Sequence, residues 1–207
     1  MKIYMLRHGQ TDWNVQRKVQ GSADVPLNEN GRQVADEIAH VLGQISFDRI
    51  FSSPLVRAKE TAEYVARYQN QEIILDDRLK EIDFGAYEGI TEKELKERGI
   101  PFQDMFFLHP DQFQPAPGGE TIIDTVNRAK AFLKEIVEPL EKEADNLLIV
   151  SHGELLHAML VFMLDRPLSQ LWGERKTRNC ETHIVSFEDG QYHLLEEARV
   201  FRKGEVL

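Results

Sequence analysis

The sequence is poor in cysteine and in long apolar runs. Cys180 is its one cysteine in 207 residues, and no apolar run approaches the roughly 18 residues of a membrane span. A lone cysteine excludes an intrachain disulfide framework and a CxxC zinc or redox site. Only a short apolar stretch precedes Arg7, too short for the apolar region of a signal peptide. We therefore expect a cytoplasmic protein in a reducing compartment.

The chain also lacks an excess of positive charge. Its 25 lysines and arginines stand against 35 acidic residues, which gives a formal net charge of −10. A surface of this sign does not attract long polyanions, so we expect neither a nucleic acid nor an anionic membrane as a partner. No internal repeat is visible, and 42% hydrophobic with 29% charged residues is typical of a globular protein.

Short apolar runs alternate with longer amphipathic ones. Four runs predict strands, at residues 2–6, 49–51, 73–75 and 147–150, and the segment 182–195 resembles a hairpin. Apolar residues at helical spacing predict helices at 28–45, 54–68, 121–143 and 153–164. Asn28 is the candidate cap of the first helix, and Ser53 caps the second, with Pro54 at its first helical position. Alternating strands and helices predict a three-layer α/β/α sandwich. Its sheet should be mostly parallel and roughly six-stranded, with an antiparallel edge from the closing hairpin.

One segment interrupts this alternation. Prolines 101, 110, 115 and 117 surround five aromatic or methionine side chains between residues 99 and 119. We expect residues 1–207 to form a single domain with a cap or insertion at 90–120. The aromatic side chains either pack into a small core of their own or face a substrate, and the sequence leaves both alternatives open.

Two predicted strands end in the same way. The first ends in Arg7-His8-Gly9 and the fourth in Ser151-His152-Gly153. The carboxyl ends of parallel strands meet at one edge of a sheet, where ligands bind, so both imidazoles could face one small ligand. A glycine after each histidine permits a tight turn and a close approach of the backbone to that ligand.

The surrounding charges indicate an anionic ligand. Arg7 adjoins His8, and Arg57 lies near the start of a predicted helix, whose free N–H groups also favour anions. Guanidinium groups match phosphate with forked donors, so phosphate is the natural candidate. Glu81 and Asp83 follow the third strand, and a carboxyl held protonated there could give its proton to a leaving group.

Five ordered blocks carry a family resemblance. They are L-R-H-G-Q-T-D-W-N from Leu6, Q-G-x-x-D-x-P-L from Gln20, S-S-P-L-x-R-A from Ser52, L-x-E-x-x-F-G from Leu79, and V-S-H-G from Val150. Together they resemble the signature of the histidine phosphatase superfamily, the phosphoglycerate-mutase-like proteins, in its phosphatase branch. A lone R-H-G would be a weak match, whereas five blocks in this order are specific.

The resemblance implies an enzyme that hydrolyses phosphomonoesters of small metabolites and releases inorganic phosphate, without a cofactor or a metal. His8 would attack phosphorus and carry the phosphoryl group, and Glu81 would protonate the leaving oxygen and later deprotonate water. The catalytic set it implies is His8, Glu81, His152, Arg7 and Arg57. The phosphate- or substrate-binding set is Arg7, Gly9, Asn14, Gln20, Arg57, His152 and Gly153.

Two alternatives stay open. One is a cofactor-dependent phosphoglycerate mutase, an isomerase, although Gln20-Gly21 and the short segment after the last strand favour a phosphatase. The other is a catalytically silent domain that binds phosphate esters in a regulatory role. A cysteine-phosphatase loop is excluded because Ser186 stands where C-x5-R would require arginine after Cys180. The sequence also leaves a homodimer open.

Overall fold

A computed structural model describes residues 1–173 and 175–206. It contains a six-stranded sheet whose strands lie in the order β3-β2-β4-β1-β5-β6. The strands are β1 (Lys2–Arg7), β2 (Arg49–Ser52), β3 (Ile73–Leu75), β4 (Asn146–Ser151), β5 (Thr182–Glu188) and β6 (Gln191–Arg199). The first four are mutually parallel, while β5 and β6 run antiparallel at one edge. The predicted α/β class, strand number and antiparallel edge are confirmed.

Helices cover both faces of the sheet. The α-helices are α1 (Asp12–Val15), α2 (Glu29–Leu42), α3 (Val56–Ala66), α4 (Glu92–Glu97), α5 (Ile122–Phe132) and α6 (Gly153–Met163). Helices α2 and α3 pack on one face over a buried cluster that includes Leu6 and Val150. Helices α5 and α6 pack on the other face over a cluster that includes Met5 and Ile149. Adjacent residues of β1 and β4 thus point to opposite cores, as expected for a central strand buried on both sides.

The predicted start of α3 is wrong. The helix begins at Val56 rather than at Pro54, and its N-cap Leu55 has no side-chain capping bond. The Ser53 hydroxyl accepts one bond from the Leu55 backbone N–H, and its other partner is a histidine of the fourth strand end. The serine is therefore used for a tertiary contact instead of a helix cap.

The predicted long helix at 121–143 is also more irregular than its spacing suggests. Helix α5 ends at Phe132, and a wider π turn (Leu133–Val137) and a tighter 3-10 turn (Glu138–Leu140) follow. Pro139 lies in the last of these turns and has no backbone N–H to donate to an earlier carbonyl. The buried residues Ala129, Leu133 and Val137 still face one core along this irregular segment, as the helical spacing requires.

The aromatic segment packs over the strand ends. It includes a π turn (Asp104–Leu108) and a 3-10 turn (Pro110–Gln112). Phe102, Phe106 and Phe113 are buried together with Phe84 from the segment after β3, with ring centroids 5.0 to 6.2 Å apart. These side chains form a third hydrophobic cluster, outside the two faces of the sheet. Among the described residues, no helix has the length and apolarity to cross a membrane.

Candidate active site

The pairing of two central strands brings the two histidines together. Strands β1 and β4 are direct neighbours in parallel register, with Arg7 opposite Ser151. The next residue on each strand is a histidine, and the His8 backbone N–H donates to the Ser151 carbonyl at 2.9 Å. The two imidazole centroids lie 5.1 Å apart, and both rings are buried. One small ligand at this edge of the sheet can therefore contact both rings.

The structure favours a neutral His8. Burial, and then the positive charges of Arg57 and Arg7, hold the pKa of the His8 imidazole well below its ordinary value. Its Nδ1 lies 2.7 Å from the Gly9 carbonyl oxygen, which can only accept. Nδ1 therefore carries the hydrogen, and Nε2 keeps a free lone pair. A neutral imidazole with its Nε2 lone pair free is the form that can act as a nucleophile.

Three buried nitrogen atoms around His8 lack a hydrogen-bond partner in the described part of the chain. They are Arg7 Nε, Arg57 Nε and His152 Nδ1. Both terminal nitrogens of Arg57 donate to backbone carbonyls, those of Ala23 and Gly21, at 2.7 and 2.6 Å, and Nη1 of Arg7 donates to the carbonyl of Thr177. Buried polar groups without a partner are rare and costly, so this cluster indicates a site for an oxyanion.

Ser53 holds His152. Its hydroxyl lies 2.8 Å from His152 Nε2, and both residues are fully buried. Burial, followed by the charge of Arg57, keeps the pKa of His152 well below its ordinary value, so this ring is neutral as well. When the hydroxyl donates to Nε2, the hydrogen of the ring lies on Nδ1, which makes Nδ1 a donor.

Glu81 reaches the same edge from the segment after β3. Its carboxyl oxygens accept the backbone N–H groups of Glu154 and Leu155, at the first turn of α6, at 3.2 and 3.1 Å. Glu81 also receives the N–H of Ile82 at 3.2 Å. The start of α6 thus fixes the carboxyl beside the histidine pair. Asp83, the other predicted carboxylate, accepts the Gly85 N–H at 2.7 Å and does not line the cavity described next.

A cavity of about 170 Å³ opens over these groups. Its floor is polar and its wall is aromatic, with Phe84, Phe102, Phe106, Phe107 and Trp172 all lining it. The aromatic segment packs into a small core of its own, and two members of that core, Phe102 and Phe106, also line this cavity.

The predicted site residues divide into two groups. The cavity is lined by Arg7, His8, Asn14, Gln20, Glu81 and Gly153. Three others are absent from this lining: Arg57 and His152 are fully buried, and the Gly9 N–H donates to Thr61 Oγ1. Both still act on His8, because the positive charge of Arg57 lowers the pKa of His8 and the ring of His152 lies 5.1 Å from the His8 ring.

Sequence reasoning missed four contributors to this site. They are Ser53, Thr61, Glu154 and Asn179, whose amide donates to the carbonyls of His8 and Gly9 at 3.0 and 3.1 Å. Ser53 falls inside the block that begins at Ser52 and resembles the family signature, which was the one available signal for it. Among the described residues, no group of three or more His, Cys, Asp or Glu side chains converges in a way that could hold a metal ion.

The comparison with protein families decides the family. The family model of the histidine phosphatase superfamily (branch 1) matches residues 3–198. The chain belongs to this superfamily. The resemblance seen in the five sequence blocks is therefore confirmed, and the histidine phosphatase fold accounts for the parallel strand ends.

Among the similar proteins, one is named a phosphoglycerate mutase and another a phosphatase. The chain is 31% identical to a probable phosphoglycerate mutase, GpmB, of Salmonella choleraesuis, over 93% of this chain and 87% of the relative. Among solved structures, YhfR of Bacillus stearothermophilus is 34% identical with a TM-score of 0.89, covering 97% of this chain and 98% of YhfR. A mycobacterial glucosyl-3-phosphoglycerate phosphatase, solved with VO3, is 29% identical with a TM-score of 0.83, covering 93% and 96% of the two chains.

Proposed function

We propose that this histidine phosphatase hydrolyses phosphomonoesters of small metabolites through a phosphohistidine intermediate on His8. The observation that carries the proposal is the cluster of three unpartnered donors, Arg7 Nε, Arg57 Nε and His152 Nδ1, around a neutral imidazole. A phosphoryl group would give each donor an acceptor and place phosphorus next to His8 Nε2. No other group of buried side-chain donors in the described residues combines two guanidinium groups with a nucleophile.

The reaction follows in two steps from these positions. In the first, His8 Nε2 attacks phosphorus and the bond to the alcohol oxygen breaks, while the Glu81 carboxyl gives its proton to that oxygen. In the second, Glu81 takes a proton from water, whose oxygen attacks phosphorus, and the electron pair of the P–N bond returns to Nε2. Arg7, Arg57 and His152 stabilise the charge on the phosphoryl oxygens in both steps. The products are an alcohol and inorganic phosphate.

The walls of the cavity indicate which kind of alcohol the phosphomonoester substrate carries. Phe102, Phe106 and Phe107 come from the aromatic segment, which we propose acts as a cap at 90–120 within one domain spanning 1–207. An aromatic wall favours an apolar or bulky alcohol portion. Asn14 and Gln20 line the same cavity as His8, so we propose that they make polar contacts to the phosphate or to the first atoms of the alcohol. We also infer a reducing, cytoplasmic setting for the buried free thiol of Cys180.

Phosphate release is the direct test. We expect purified protein to release phosphate from 4-nitrophenyl phosphate at mildly acidic pH in the presence of EDTA, and the variant His8→Ala to lose this activity. His193→Ala, an exposed histidine on β6, is the matched control and should keep it. If no phosphate is released from any of a broad panel of phosphoesters, the proposal is refuted and a catalytically silent binding domain is favoured. Release that persists in His8→Ala would exclude the phosphohistidine route.

Phosphoglycerate mutase activity is the second candidate function. It is favoured by the 31% identity to a probable phosphoglycerate mutase. A mutase must keep water away from the phosphohistidine until the phosphoryl group is returned. Incubation with 3-phosphoglycerate and its bisphosphate primer separates the two functions. We expect hydrolysis without 2-phosphoglycerate, and appreciable formation of 2-phosphoglycerate would establish the mutase.

A further inference from the structure

Glu154 is a buried carboxyl at the site to which the reaction above gives no role. It lies in the first turn of α6, is 2% exposed, and lines the cavity together with Glu81. Neither of its carboxyl oxygens has a hydrogen-bond partner among the described residues. Burying an ionised carboxylate in this way is very costly, so the side chain needs either a proton or a partner.

The groups facing Glu154 come from three other segments. Glu81 approaches from the segment after β3, Arg128 from α5 and Glu120 from the turn before α5. The Arg128 guanidinium is already engaged, because it donates to Glu120 and to two backbone carbonyls at distances of 2.6 to 3.0 Å. It is therefore a weak counter-charge for Glu154. Burial, and then the neighbouring Glu81 carboxylate, raise the pKa of the Glu154 carboxyl well above its usual range.

The two carboxyls differ in their hydrogen bonds. Glu81 accepts three backbone N–H groups, one of them from Glu154 itself, and such bonds favour a charged carboxylate. Glu154 accepts none. When two neighbouring carboxyls hold one proton, that proton therefore resides on Glu154 in the resting protein. A general acid at Glu81 needs the same proton when the leaving oxygen departs.

We propose that Glu154 is a positioning residue that stores the proton used by Glu81. The proposal rests on the hydrolytic function proposed above. As the phosphoryl dianion binds next to Glu81, its negative charge favours the protonated form of that carboxyl, and the proton moves from Glu154 to Glu81. The pair thus has a proton to give at pH values where an isolated carboxyl would be ionised.

The proton balance closes over the two steps. In the first step the P–O bond breaks, its electron pair stays on the alcohol oxygen, and the proton of the pair passes through Glu81 to that oxygen. The pair is then left without a proton. In the second step Glu81 takes a proton from water, the water oxygen bonds to phosphorus, and the P–N electron pair returns to His8. The proton then passes back to Glu154.

Two substrates with different leaving groups separate this role from structural damage. Benzyl phosphate releases a basic alkoxide that needs a proton, whereas 4-nitrophenyl phosphate releases a phenolate that needs little help. For Glu154→Gln, we expect kcat/KM for benzyl phosphate to fall about tenfold near pH 7.5 and by less than about threefold near pH 5. The alkaline limb of the pH profile of kcat/KM for benzyl phosphate should move down by about one pH unit. Over the same pH range, kcat/KM for 4-nitrophenyl phosphate should change less than about threefold.

Matched measurements decide the outcome. Glu97→Gln, which removes an exposed carboxylate of α4, should reproduce both wild-type profiles. An infrared spectrum near pH 7 should show the C=O stretch of a protonated carboxyl in the wild type and lose it in Glu154→Gln. The role of Glu154 is overturned by superimposable benzyl phosphate profiles, by equal losses on both substrates, or by a wild type without that band. The wild-type infrared spectrum needs neither a folded variant nor turnover, whereas a wild type that hydrolyses neither ester refutes the hydrolytic function instead.

Discussion

Removing the Ser53 hydroxyl tests whether His152 is held for catalysis. In Ser53→Ala, the 2.8 Å contact to His152 Nε2 disappears and both ring nitrogens of a fully buried imidazole are left without a partner. A buried polar group left unsatisfied costs about 1–3 kcal/mol, so the free energy of unfolding should fall by that amount. The freed ring can rotate and exchange its tautomer, so Nδ1 no longer presents a fixed donor. We expect kcat/KM to fall by about tenfold or more, equivalent to at least about 1.4 kcal/mol of transition-state stabilisation.

The neighbouring residue supplies the control. Ser52 is equally buried, but its hydroxyl donates to the Ser53 carbonyl at 3.0 Å and contacts no predicted catalytic side chain. Ser52→Ala should lose about 1 kcal/mol in urea unfolding and keep kcat/KM within about twofold. The reasoning is refuted if Ser53→Ala keeps wild-type kcat/KM, or if Ser52→Ala loses as much activity as Ser53→Ala.

Three further predictions concern stability and can be checked by urea unfolding. Phe106→Ala should cost about 3–5 kcal/mol, because this 3% exposed ring contacts five other aromatic rings, whereas half-buried Phe107→Ala should cost less than half as much. Gly9→Ala should cost about 1–3 kcal/mol, because its new Cβ would lie 2.7 Å from the Gly31 carbonyl oxygen, and an unchanged midpoint would show that the backbone yields easily. Burial lowers the pKa of His183 to about 4. Between about pH 6.5 and pH 4, His183 is therefore protonated in the unfolded chain but not in the folded one. Stability from this group should fall by about 3 kcal/mol between pH 6.5 and pH 4, and His183→Asn should show a correspondingly flatter dependence on pH.

The features that depend on local patterns were predictable from the sequence. The Arg7-His8 and Ser151-His152 strand ends could be matched because each follows a short apolar run, and a parallel sheet places such ends together. The T-x-x-E pattern of residues 91–94 likewise predicts a capping box, and the structure contains it at the start of α4.

The remaining features depend on contacts between distant segments. Ser53 fits a helix cap equally well by spacing, and only the proximity of β4 shows that its hydroxyl binds His152. Glu154 looks like an ordinary acidic residue in the first turn of a helix, where it would favourably complement the helix dipole. Its burial follows from the packing of α5 and the segment after β3 around that turn, which spacing alone does not reveal.

The position of β4 has a consequence for the order in which the protein folds. Strand β4 lies between β1 and β2, so neither of these earlier strands pairs with the other. Until residues 146–151 leave the ribosome, the growing chain exposes the unpaired edges and apolar faces of both strands, and these long-range pairings are slow to form. Enzymatic activity should therefore appear late in refolding, together with the docking of this strand. A chain truncated before residue 146 should have neither a continuous sheet nor any residual activity, and should aggregate through its open strand edges.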